Sequence, residues 1–299
     1  MRIAVVGSYG TGMTMRTSRM PARGETLSGA AFSLGPGGKG SNQAIGAARL
    51  GAEVALLTAV GDDVLGAQGR ELWRREGVDA SAVVTVDAST MTGVILVEDD
   101  GENRIIVAPG ALDLLRPAHV DGFADAIAAA DLLMVCNEIP ADVVVSAVRT
   151  AADRGTRVLF NPAPARDLPQ DAADLVDLLT PNLTEAQVLT GLDTTAPNAL
   201  LDALRERFSS STIVLTCGTD GAYVDDGTDR TRIPPVRAAR VVDTTGAGDA
   251  FNAAFAVAWC RGWDLRRAAR YAAAAGAFAV AHHEVIPGLP HSEDLGPAL

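Results

Sequence analysis

Lysine is nearly missing from this chain: of its 25 lysine and arginine residues, only Lys39 is a lysine. Aromatic residues are 4% of the 299 positions, which leaves little with which to clamp a planar ligand. The three cysteines, Cys136, Cys217 and Cys260, are scattered and odd in number, so they form neither a metal-ligand spacing nor a disulfide framework. Apolar runs are short and broken by charges or prolines, which excludes a predicted membrane-spanning helix. No secretory or transit pattern precedes the first apolar run, Arg2–Val6, and a cytoplasmic location is the expectation. Net charge is −12 and the pI is near 4.7, with no basic stripe of the kind nucleic acids or anionic membranes require. Internal repeats and low-complexity linkers are also missing.

What is present concentrates in two glycine-rich runs. The first to consider is Val241-Val242-Asp243-Thr244-Thr245-Gly246-Ala247-Gly248-Asp249-Ala250-Phe251-Asn252. Glycines allow a tight turn, and the alanine-rich stretch behind them predicts a helix whose free N–H groups face outward and can hold an anion. Asp249 stands at that helix entrance. A carboxylate beside an anion site is unfavourable unless chemistry needs both, and phosphoryl transfer does. The N–H groups take the charge of the moving phosphoryl, and the carboxylate accepts a hydroxyl proton. The second run, Leu34 to Ala48, carries Gly35, Gly37, Gly38 and Gly40 beside Lys39. These glycines allow a ligand close to the main chain, and Ser41 or Asn42 is expected to cap a helix through Ala44, Ile45 and Ala48. In a chain otherwise committed to arginine, a single compact ammonium suits a tight polar site.

Both runs, with Asn161-Pro162-Ala163-Pro164-Ala165-Arg166 and Thr180-Pro181-Asn182-Leu183-Thr184-Glu185-Ala186 between them, resemble the ribokinase/phosphofructokinase-B family of carbohydrate kinases, most nearly its ribokinase branch. The resemblance runs from Val5-Val6-Gly7-Ser8 to the last predicted helix. It implies a magnesium-dependent ATP:sugar phosphotransferase. By that resemblance Asp249 is the base, with Gly246, Ala247 and Gly248 forming the anion hole together with Thr245. Gly38, Lys39, Asn42 and Glu138 hold the sugar. Asn182, Thr216, Gly218 and Gly221 border ATP. Glu185 acts on Mg²⁺ through water, and Asp243 with Thr245 holds a monovalent cation such as K⁺.

Apolar runs at 3–6, 54–60, 132–135, 158–161, 178–180 and 213–216 alternate with helical patterns at 42–50, 117–130, 141–153, 185–189 and 265–281. That rhythm predicts an α/β fold, with a parallel-dominated central sheet and helices on both faces. Two segments break it: 13–33, interrupted by Pro21 and Gly24, and 92–107, read as a hairpin turning at Asp100-Gly101. They are expected to form a small β lid, spanning about 9–34 and 88–109, on a single domain of residues 1–299. The resemblance adds a homodimer formed through that lid.

Two departures from the family pattern stand out. Ribokinases begin Gly-Ser-x-Asn-x-Asp, where the Asn and Asp bind sugar hydroxyls. Here Gly10 and Gly12 replace both, which loosens the expectation of D-ribose toward a related sugar or a sugar acid. Thr11, Thr14 and Arg16 are candidates to fill the gap. The tail His282-His283-Glu284-Val285-Ile286-Pro287-Gly288 also differs from the usual cation loop, and its adjacent histidines point apart. A dinucleotide-binding reading of Gly7–Gly12 fails, because an extended segment follows instead of a helix. Two alternatives remain: a nucleoside kinase of the same fold, with Tyr9 and Phe32 as the only candidate base clamps, and a non-catalytic sugar sensor.

Overall fold

The computed structural model describes residues 1–28, 31–98 and 102–296. In chain order its strands are β1 (Arg2–Val6), β2 (Gly10–Thr17), β3 (Ala31–Gly37), β4 (Glu53–Leu57), β5 (Ala59–Gly61), β6 (Val78–Asp79), β7 (Val84–Val86), β8 (Met91–Glu98), β9 (Asn103–Ala108), β10 (Leu132–Cys136), β11 (Arg157–Asn161), β12 (Leu178–Leu179), β13 (Thr212–Thr216), β14 (Ala222–Asp225) and β15 (Arg230–Ile233). The α-helices are α1 (Lys39–Arg49), α2 (Val64–Glu76), α3 (Pro117–Asp121), α4 (Ala124–Ala128), α5 (Ala141–Asp153), α6 (Gln170–Ala173), α7 (Leu183–Thr190), α8 (Pro197–Arg207), α9 (Ala247–Cys260), α10 (Leu265–Ala279) and α11 (Val285–Gly288).

Nine strands form the main sheet in the order β15-β14-β13-β12-β11-β10-β1-β4-β6. From β13 to β6 all pairs are parallel, and only the β13–β14 and β14–β15 pairs, at one edge, are antiparallel. Side-chain alternation divides the core across this sheet. Ile3 and Val5 of β1 and Leu132 and Met134 of β10 pack with α1, α2, α9 and α10. Ala4, Val6, Leu133 and Val135 pack on the other face with α5 and α8. Strands buried on both faces read as unbroken apolar runs, which is why they stand out in the sequence.

A second sheet, β3-β2-β8-β9, forms the lid, with β2–β8 parallel and its outer pairs antiparallel. Its strands reach Gly37, beyond the expected limit near residue 34. The proposed turn at Asp100-Gly101 lies outside the described residues. Three further expectations are corrected. The apolar run at 54–60 is two strands, because β5 leaves the main sheet to pair with β7. The helix expected over 117–130 is divided into α3 and α4, with Gly122 closing the first. Neither Ser41 nor Asn42 caps α1: it starts at Lys39, after Gly38 at φ 94°. Ser41 instead accepts a hydrogen bond from Trp73 Nε1 at 2.8 Å, and Asn42 reaches toward α9.

Candidate active site

The two glycine-rich helix starts, both at the carboxyl edge of the main sheet, differ in what remains free. At α1 the chain is pressed against β1. A Cβ on Gly40 would lie 2.6 Å from the Gly7 backbone, and one on Gly38 would lie 2.6 Å from Tyr9 Cα. These glycines therefore allow close approach of the protein's own chain. The N–H of Lys39 donates to Glu138 Oε2 at 2.9 Å and that of Ser41 to Ser8 O at 2.8 Å, while Ser8 Oγ donates to the same Glu138 oxygen. Glu138 and Ser8 thus consume the donors that an anion would need.

At α9 the donors stay open. Gly246 adopts φ 81°, and no side chain caps the helix. Asp243 Oδ1 accepts from the Thr245 N–H at 2.9 Å, shaping the turn. Among the described residues nothing accepts from the N–H of Gly248 or Asp249. Here the helix dipole and the orphan donors favour negative charge.

Close helix packing brings the rest together. A Cβ on Gly46 of α1 would sit 2.8 Å from Ala253 Cβ of α9, so only glycine permits this separation. Across that contact Asn42 Nδ2 donates to Asp249 Oδ2 at 2.8 Å and Gln43 Nε2 donates to Asp249 Oδ1 at 3.1 Å. Gln43 Nε2 also donates to Asn161 Oδ1 at 3.1 Å, and Asn161 Nδ2 to Thr180 O at 3.0 Å. The Asp249 carboxylate is therefore held by both oxygens. Asn42 Oδ1, buried, has no partner among the described residues.

Charge follows burial. Desolvation raises the Asp249 pKa, opposed by the Lys39 ammonium and by the Asn42 and Gln43 hydrogen bonds. Burial alone would depress Lys39, but Asp249, Glu138, Cys136 and Glu185 outweigh it and leave its pKa raised. Burial also raises Glu185, opposed by the Asn182 N–H and Lys39. Cys136, Cys217 and Cys260 are pushed up to about 11 by burial, so none is a thiolate at neutral pH.

A cavity of about 280 Å³ opens over these groups. Of the residues singled out from sequence, Lys39, Asn182, Glu185, Thr216, Thr245, Gly246, Gly248 and Asp249 line it. Gly38, Asn42, Glu138, Ala247, Asp243, Gly218 and Gly221 do not. Gly221 has a positional reason: at φ 90° its Cβ would meet Ile233 O at 2.2 Å, so it serves the turn into β14. Asn182 and Glu185 form a reciprocal capping box at 2.8 Å each way, a structural role that leaves Glu185 on the cavity wall. Gln43, Asn161, Thr180, Thr244 and Asn252 were missed as site residues. Asn252 was detectable, since i and i+3 share a helix face with Asp249. The candidate base clamps fail: Tyr9 is core, ring to ring with Trp73 at 4.8 Å, and Phe32 is on the lid face opposite Gly35.

Residues 2–292 match the family described as pfkB family carbohydrate kinase. The ribokinase of Lactococcus lactis is 35% identical over 290 residues, covering 97% of this chain and 94% of that protein. A deoxyribokinase of Salmonella typhi is also 35% identical, covering 94% and 92%. Among solved structures, Arabidopsis thaliana ribokinase complexed with ribose and ATP superposes with a TM-score of 0.92 at 29% identity, covering 98% of this chain and 97% of that one. These relatives make the chain a phosphotransferase acting on an alcohol group, and it belongs to the pfkB family of carbohydrate kinases.

Proposed function

We propose that this enzyme transfers the γ-phosphoryl group of ATP to a hydroxyl of a small sugar, with Asp249 as the base. The observation that carries this reading is the pairing at α9 of open N–H donors with a buried carboxylate held in place by Asn42 and Gln43. The donors receive the terminal phosphate, and Asp249 orients the acceptor hydroxyl and takes its proton. Lys39 supplies positive charge between Asp249 and Glu185. That retained machinery argues against a sensor without turnover. Glu185 suits Mg²⁺, which prefers oxygen ligands and keeps several waters: its Oε2 accepts the Asn182 N–H, and its burial is relieved by a cation. When bound, the ion neutralises phosphate charge. At Asp243 the fit is poor for a monovalent cation. Oδ1 is engaged by Thr245, and Arg16 Nη2 faces Oδ2 at 3.9 Å; no step is assigned to K⁺. An ADP-release screen over pentoses, hexoses, polyols, sugar acids and nucleosides tests the activity. Acceptor-dependent release with a sugar supports it, and its absence across the panel refutes it.

Lys39 also sets the pH profile. Its charge lowers the Asp249 pKa, so Lys39→Met is expected to raise that pKa further. The base works ionised, so the acid limb of kcat/KM moves to higher pH. An acid limb that stays in place, or moves down, would remove Lys39 from this role.

The lid's outer face presents Met15, Phe32, Leu34, Val94 and Ile106, all exposed, and this apolar patch supports the homodimer reading. Sedimentation should give a dimer for the wild type and a monomer for Phe32→Glu/Ile106→Glu. A monomeric wild type at micromolar concentration would rule it out.

A further inference from the structure

The Asp249 carboxylate is held at both oxygens, and the two holds differ in depth. At Oδ2 the donor is Asn42 Nδ2, directly from α1. At Oδ1 the donor is Gln43 Nε2, which belongs to a chain of amides. The same nitrogen donates to Asn161 Oδ1 at 3.1 Å, and Asn161 Nδ2 donates to the Thr180 carbonyl at 3.0 Å. Gln43, Asn161 and Thr180 are all buried.

The direction of each bond in this chain follows from its far end. Thr180 O is a carbonyl and only accepts, so Asn161 turns its NH2 toward it and its Oδ1 toward Gln43. An oxygen at that place requires the Gln43 NH2, and the same NH2 then meets Asp249. Turning Asn161 over sets oxygen against oxygen at Thr180. Turning Gln43 over sets its Oε1 against the Asp249 carboxylate. A buried polar group left unpaired costs about 1–3 kcal/mol, so one arrangement satisfies the set. A backbone carbonyl just past β12 thus decides that Gln43 offers hydrogen, not oxygen, to Asp249. Asn161 ends β11 and lines the cavity, yet both polar atoms of its side chain are engaged within the protein.

Building on the reading of Asp249 as the base, we infer that Asn161 is a positioning residue for phosphoryl transfer: anchored on the Thr180 carbonyl, it aims the Gln43 amide, and Gln43 fixes the plane of the Asp249 carboxylate. Two anchored oxygens define that plane, whereas Asn42 alone leaves the carboxylate free to turn about one hydrogen bond. The phosphoryl transition state is loose, so orientation of the acceptor hydroxyl carries much of the rate.

The test is Asn161→Leu, close in size and without polar atoms. kcat is expected to fall about tenfold or more, with the KM values for ATP and acceptor little changed. The pH profile should move too. The Gln43 hydrogen bond lowers the Asp249 pKa, as Lys39 and Asn42 do, against burial and the Glu138 charge. Glu185, across the cavity, is a further negative neighbour. Loosening the Gln43 bond therefore shifts the acid limb of kcat/KM to higher pH. Gln43→Met should do the same, and the double variant should be no worse than Gln43→Met alone, because Asn161 acts through Gln43. Circular dichroism checks folding; Asn161→Ser, which admits water, carries the same expectations should the leucine variant not fold. An unchanged kcat and acid limb in a folded Asn161 variant overturns the inference. So does a raised KM for ATP with kcat retained, which would make Asn161 a ligand contact, and so do additive losses in the double variant. Asp249→Asn, measured alongside, separates the two readings. If it keeps kcat, the base assignment falls together with the inference; if it loses kcat while Asn161→Leu does not, the inference alone falls.

Discussion

Asp249→Asn is expected to lower kcat by about 10²–10⁴-fold, the usual contribution of a positioned general base, while changing the KM for ATP little. The substitution keeps the shape of a side chain held by Asn42 and Gln43 and removes only the ability to take a proton. The new amide donor has an acceptor waiting: rotation of the Asn42 amide offers its unpartnered Oδ1. Folding should survive for a second reason. Burial raises the Asp249 pKa, so its contribution to stability is full below the unfolded value of about 3.9 and is lost as pH rises through the folded value. At neutral pH the ionised carboxylate is therefore a cost that the amide avoids. Thermal unfolding at pH 7 should place the variant no lower than the wild type by more than about 2–4 °C, roughly 1 kcal/mol for a chain approaching this size. A folded variant with near wild-type kcat would show that the proton goes elsewhere.

The second large effect is expected at Gly246. Alanine there meets two obstacles: φ 81°, which costs an L-residue about 1–2 kcal/mol, and a Cβ 2.6 Å from Val285 Cγ1. Relief requires the loop or α11 to shift, and the N–H donors shift with it. Losing one such donor typically costs about 10²–10³ in rate. Gly246→Ala should therefore lower kcat by that order and destabilise the fold by about 1–3 kcal/mol. Gly248→Ala is the contrast. Its Cβ meets nothing within 4 Å, but the residue lines the cavity. Alanine in a helix is favoured over glycine by about 0.5–1 kcal/mol, so stability should hold or rise. The added methyl intrudes on the ligand instead, and the KM for ATP should rise about tenfold or more, as one misplaced methyl does in a fitted pocket. Urea midpoints and initial rates on the two variants separate these effects. Equal behaviour of the two would mean that the loop does not contact the phosphate as described.

The parallel sheet was legible because its strands are buried on both faces and therefore read as apolar runs between helices; α5, at Ala141–Asp153, begins and ends where the pattern does. Asp249 was legible because its helix start carries glycine without a capping side chain. The start of α1 was hidden. Gly40 and Ser41 look like loop by propensity, and the N–H groups of Lys39, Gly40 and Ser41 are accepted by Glu138 and Ser8, far away in sequence. The packing role of Gly38 and Gly40 against Ser8, Tyr9 and Gly7 was hidden for the same reason. Gln43 and Asn161 were hidden too: Gln43 donates to Asp249, 206 residues away, and to Asn161, 118 residues away.

A crystal structure with a non-hydrolysable ATP analogue and an acceptor tests the central claim most directly. The terminal phosphate is expected at the N–H groups of Gly246, Gly248 and Asp249, with an acceptor hydroxyl within about 2.6–3.2 Å of the Asp249 carboxylate. A phosphate bound instead at the start of α1, or an acceptor hydroxyl out of reach of Asp249, would contradict it.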